Sequence, residues 1–104
     1  MFHFLTEKTM KEYYETVMGA VCRLTGFTPA EVLHSRCEQA TDARFLLLYF
    51  LSSKLTNGEI TRLTGLSKQA VSQILIRYTD RKRFKFSLRC DEATLRKELD
   101  ALTE

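Results

Sequence analysis

An all-α fold, a compact bundle of about six helices, is predicted by three observations. Apolar residues recur at spacings of three and four along most of the 104 residues. One Pro and four Gly leave little room for the turns of an all-β fold. The run Phe45 to Leu51 is apolar all round and reads as a buried pillar with other helices packed on several sides. A chain of this length is expected to form one domain over 1–104, with seven Phe and four Tyr to fill a core that needs neither disulfide nor metal.

Phe2, Phe4 and Leu5 are expected to pack loosely ahead of a first helix that starts near Thr6, with Glu7 in its first turn. Met10, Tyr13, Tyr14, Val17, Val21 and Leu24 then make one apolar stripe that ends at Gly26. The stripe reads as core, with the face of a homodimer as the alternative. Thr28, Pro29 and Glu31 combine a capping residue, a proline at the first helical position and a carboxylate placed to return the cap. They predict a short second helix from Pro29 to about His34, followed by a loop at Ser35 and Arg36. The third helix is expected from Glu38 or Thr41 to Leu55, ended by Asn57 and Gly58.

The stretch Gly58 to Tyr78, GEITRLTGLSKQAVSQILIRY, reads as a DNA-binding helix-turn-helix. Its first helix, Glu59 to Thr64, carries Ile60 and Leu63 on one face. Gly65 stands where a tight turn needs positive φ, and the Ser67 hydroxyl can cap a second helix from Lys68. Val71, Ile74, Leu75 and Tyr78 form the apolar face of that helix, leaving Lys68, Gln69, Ser72, Gln73 and Arg77 outward. Lys reaches guanine edges or phosphates, Gln pairs bidentately with adenine, and Ser bonds either base edges or phosphate, so this set, with Ser67, suits base reading. Thr61 stands where such motifs usually pack a smaller residue between the helices.

Net charge is +3, but it is unevenly spread. Residues 1–57 carry six basic and six acidic side chains, residues 58–90 eight basic and two acidic, and residues 91–104 two basic and five acidic. The excess of positive charge therefore falls on the motif and on the segment after it, TDRKRFKFSLRC, as a phosphate footprint requires. In that segment Arg81, Lys82, Arg83, Lys85 and Arg89 alternate with Phe84, Phe86 and Leu88, which suggests a short extended stretch near 82–88, either a wing-like strand or a linker. Arg36 and Arg44 are further candidate phosphate contacts, with an intrachain ion pair as the alternative for Arg44. Asp91 is expected to cap a final helix with Leu95, Leu99 and Leu102 on its inner face, whose acidic exterior argues against phosphate contact.

Cys22, Cys37 and Cys90 are odd in number and contain no CxxC pair, so reduced thiols are expected, with no disulfide, metal site or cofactor. His34 and Cys37 read as a helix-end histidine and a buried thiol. The N-terminus, MFHFLTEKTM, has neither a basic leader nor an apolar segment of signal length, and no run is long enough to span a bilayer. A cytoplasmic protein without membrane contact is expected.

The stretches TPAEVLHSR, DARFLLLYFLSSKLTN and TGLSKQAVSQIL make the run from Thr28 to Leu102 resemble the C-terminal DNA-binding domain of the bacterial replication initiator DnaA, in the Trp-repressor-like group of helical folds. The resemblance implies that Arg36, in the loop before the long helix, enters a minor groove, and that Lys68 and Gln69 belong to the major-groove reader. That family's G-G-R-D-H-T-T-V segment is matched by Thr64 to Val71 only at its second glycine and its valine, so the resemblance implies the fold and not that family's DNA box. No G-x-x-x-x-G-K-[ST] loop accompanies it.

Sequence-specific binding of double-stranded DNA is the leading expectation, as a transcriptional regulator or a free-standing relative of that domain. The alternative is a helical protein-interaction or dimerisation module without specific DNA binding. With only two His and no nucleophile, base and orienting group at meaningful spacing, an enzyme is not expected.

Overall fold

The computed structural model describes residues 6–102 and contains six helices: α1 (Glu7–Thr25), α2 (Pro29–His34), α3 (Glu38–Leu51), α4 (Asn57–Thr64), α5 (Lys68–Arg83) and α6 (Phe86–Leu102). The expected packing of Phe2, Phe4 and Leu5 lies outside the described residues. One cluster of buried side chains draws on all six helices, with Leu46, Leu47, Leu48 and Leu51 of α3 fully enclosed at its centre. Helices α1, α2, α5 and α6 all pack against α3. The pillar expected from the apolar run is therefore the element on which the rest is assembled. Met10, Val17 and Val21 of the α1 stripe are buried in the same cluster, and Tyr13, Tyr14 and Leu24 pack half-buried against it.

Helix starts follow the capping chemistry. Thr6 accepts a hydrogen bond from the Thr9 amide, and at α2 the Thr28 hydroxyl accepts from the Glu31 amide while the Glu31 carboxylate accepts from the Thr28 amide. The same reciprocal pair recurs at Thr56 and Glu59. This corrects the third helix, which ends at Leu51 rather than Leu55, and Asn57 and Gly58 open α4 instead of closing α3. The carbonyls at the end of α3 are satisfied by a tight turn through Ser52 to Leu55, whose amides bond back to Leu48, Phe50 and Leu51.

Two further corrections concern the C-terminal third. No strand occurs near 82–88: α5 runs on past Tyr78 to Arg83, and Phe84 and Lys85 turn the chain into α6. Arg89 donates to the carbonyls of Lys82 and Arg83 at 2.9 and 2.7 Å, so a residue counted as part of an alternating strand instead closes the open end of α5. Asp91 lies inside α6 and caps nothing. Leu88, Leu95 and Leu99 form the buried face of that helix, whereas Leu102 is exposed.

No helix among the described residues is long and apolar enough to cross a membrane.

Candidate nucleic-acid interface

Helices α4 and α5 are joined by a turn whose geometry each residue type explains. Gly65 has φ 77° and ψ 0°, and its amide bonds the Thr61 carbonyl. A Cβ there would meet nothing within 4 Å, so an L-residue is disfavoured by backbone conformation alone, by about 1–2 kcal/mol. Buried Thr64 donates its hydroxyl to the Ile60 carbonyl at 2.7 Å and accepts from the Leu66 amide at 3.2 Å, tying the turn back to α4. Ser67 then accepts from the Ala70 amide at 3.0 Å and starts α5. Ile60 and Val71, both fully buried, fix the two helices on the core. Thr61, the residue larger than expected between them, has a buried Oγ1 with no hydrogen-bond partner among the described residues.

The outward side of α5 differs along its length. Lys68, Gln69, Gln73 and Arg77 are exposed and have no side-chain hydrogen bond or ion pair among the described residues. Ser67 is exposed, with its oxygen engaged in the cap. Ser72 is half-buried and accepts from Asn57 Nδ2 at 3.4 Å, which places it in the contact with α4 rather than on the free face.

Beyond Arg77 the cations turn inward. Arg81 Nε meets Asp42 Oδ1 at 2.6 Å and lies over the Phe45 ring, 4.6 Å from its centroid. Lys85 bonds Glu38 and reaches Asp42 at 3.5 Å. Lys82 lies 3.2 Å from Glu92 of α6, and the Tyr78 hydroxyl donates to the same carboxylate at 2.7 Å. Arg83, more exposed, pairs loosely with Asp80 at 3.8 Å. Arg62 of α4 bonds Glu7 of α1. Of the eight basic residues between 58 and 90, only Lys68 and Arg77 have no carboxylate or carbonyl partner among the described residues.

Arg44 is held by the fold as well. Its Nε donates to the Val32 carbonyl at 2.7 Å and an Nη to the Ser35 carbonyl at 2.5 Å, closing the C-terminal end of α2. Burial and then the charge of Arg81 lower its pKa. Arg36 remains exposed, two residues before Glu38, the partner of Lys85 at the far end of α5. It therefore sits near the opposite end of α5 from Lys68. Over its 16 residues, Lys68–Arg83, α5 rises roughly 22 Å.

Glu92 is the hub of this inward set. Burial raises its pKa, but the hydrogen bonds from Tyr78, Lys82 and Arg96 outweigh that and hold the carboxyl below its ordinary range. Tyr78 moves far the other way, first through burial and then through its bond to Glu92. Its ring stacks on Tyr49 of α3, with centroids 4.3 Å apart and planes at 11°. Arg96 completes the group by donating to Tyr49 Oη and Glu92 Oε2, each at 3.2 Å. Three helices, α3, α5 and α6, are locked together there.

One residue on the α5 face escaped the sequence reading: Ile76, 78 % exposed, among the polar side chains. The period of the helix could have placed it there, since it lies opposite Val71 and Tyr78. His34 ends α2 as expected, but Cys37 is exposed rather than buried; it caps α3, and the Ala40 amide bonded to its sulfur lowers the thiol pKa. No group of three or more His, Cys, Asp or Glu among the described residues converges as a metal ion would require. A cleft of about 390 Å³ lies between α1, α3 and α6, lined by Tyr13, Tyr49, Phe50, Lys54 and Arg96 among others; no His or Cys among the described residues borders it. Comparison with protein-family models, curated proteins and solved structures finds no match to this chain.

Proposed function

We propose that this protein binds double-stranded DNA in a sequence-specific manner, with α4 and α5 as a helix-turn-helix and the first half of α5 in the major groove. One observation carries the reading. Lys68, Gln69, Gln73 and Arg77 have no partner among the described residues and stand on the outward side of a helix whose other side is locked into the core, directly after the glycine turn and serine cap. Gln69 and Gln73 are the base readers, and Lys68, Arg77 and the Ser67 hydroxyl contact base edges or phosphate. Arg83 is exposed enough to leave Asp80 for a phosphate, because a loose surface pair contributes at most about 1 kcal/mol. Arg44, Arg81, Lys82 and Lys85 support the fold, and Ser72 the α4–α5 contact. Arg36 is a separate contact toward the other end of α5.

The test is selection of bound duplexes from a random pool, followed by titration at two salt concentrations. An enriched sequence with steep salt dependence supports the proposal; changing Gln69 and Gln73 together to Ala should then weaken discrimination between sites with little change in salt dependence. Unchanged discrimination would remove both residues from base readout. A second reading, a docking module for another protein, is favoured by Phe84 and Phe86, both largely exposed around the α5–α6 turn. It predicts duplex affinity no better than that of an unrelated basic protein.

A further inference from the structure

Ile76 breaks the pattern of α5. Four large apolar side chains are strongly exposed among the described residues: Ile76, Phe84, Phe86 and Leu102. Phe84 and Phe86 flank the turn after α5, the latter beneath the Arg89 guanidinium at 5.6 Å, and Leu102 ends α6. Ile76 alone lies mid-helix and in line with the unpaired polar residues. Gln69, Gln73 and Ile76 stand at i, i+4 and i+7, one face of the helix, with Arg77 beside them. From Gln69 to Ile76 that face rises roughly 10 Å, about three base-pair steps of B-DNA.

A single exposed isoleucine needs no explanation on an ordinary surface. On a face that enters the major groove it has one chemical counterpart, because the only apolar group on the base edges there is the C5-methyl of thymine. The glutamines ahead of it pair best with adenine, and every adenine brings a thymine into the same groove. We propose that Ile76 packs on a thymine methyl and makes this protein discriminate thymine at one or two positions of its site. The inference rests on the assignment of α5 as the groove-entering helix.

The experiment uses the most enriched duplex from the random pool, resynthesised with uracil replacing thymine at one position at a time, which removes a methyl and leaves every hydrogen-bonding group in place. For the wild-type protein, one or two such replacements should weaken binding about fourfold, as expected for one buried methyl. In Ile76→Ala the same replacements should cost nothing further, and the variant should bind the unmodified duplex about as the wild type binds the uracil one. Exposure of Ile76 means that the variant should keep the melting temperature of the wild type, which a thermal scan verifies. Sensitivity at no thymine, or sensitivity that persists in Ile76→Ala, overturns the inference while leaving DNA binding intact. Failure to enrich any duplex overturns the proposed function, and this inference falls with it.

Discussion

The two halves of α5 use similar residues for opposite purposes. From Lys68 to Arg77 the outward polar side chains have no partner among the described residues; from Tyr78 to Arg83 and on to Lys85, nearly every cation is engaged by a carboxylate of α3 or α6. Sequence composition makes the second half the more basic and so the stronger candidate for phosphate. Geometry reverses that ranking. A cation held at 2.6 Å by a half-buried aspartate while stacked on a phenylalanine is part of the interior. Its charge is largely neutralised before any nucleic acid arrives.

The largest effect that sharpens this contrast is expected at Glu92. Replacing it by Ala leaves the Tyr78 hydroxyl without its acceptor and releases Lys82 and Arg96, which should destabilise the protein by about 2–3 kcal/mol in denaturant unfolding. The loss should depend on pH. The folded carboxyl titrates below its unfolded value of about 4.3, so its contribution is complete above that value and disappears as the pH falls through the lower folded pKa. Stability curves of wild type and Glu92→Ala should run parallel above about pH 5.5 and converge on the acid side.

A smaller effect compares the halves directly. Arg81→Ala should cost about 1–2 kcal/mol, because it breaks a half-buried ion pair and a cation–π contact. Arg77→Ala should stay within about 0.5 kcal/mol, as expected for an exposed side chain without a partner. Equal losses in thermal unfolding would break the comparison. Thr61 gives an effect of opposite sign. Thr61→Val keeps the shape and removes a buried hydroxyl that lacks a partner, and should raise stability by about 1 kcal/mol.

Local chemistry made much of the fold legible. Thr28-Pro29-x-Glu31 marks the start of α2, the apolar run marks α3, and Gly65 with Ser67 marks the turn. The same T-x-x-E signature stands at Thr56 and Glu59, and taking Asn57 and Gly58 as a helix end misses it; the reciprocal bonds of the box start α4 with Asn and Gly at its first two positions. The apparent alternation at 82–88 arose because two helices meet there. Arg81, Lys82 and Lys85 face carboxylates about ten to forty-seven residues away, and no local pattern shows such pairing. Which cations are free is therefore a tertiary property, as is the engagement of Ser72 by Asn57, whereas the outward direction of Lys68, Gln69, Gln73 and Arg77 follows from helical period.

The most direct measurement of the division within α5 is the slope of log affinity against log salt concentration on the enriched duplex, for wild type, Lys68→Gln, Arg77→Gln and Arg81→Gln, all at a temperature where each variant is folded. If the first half of α5 meets the backbone and the second half holds the fold, Lys68→Gln and Arg77→Gln should each reduce the slope by about one, and Arg81→Gln should leave it unchanged. A slope that falls with Arg81→Gln and is insensitive to Lys68 and Arg77 would contradict the account.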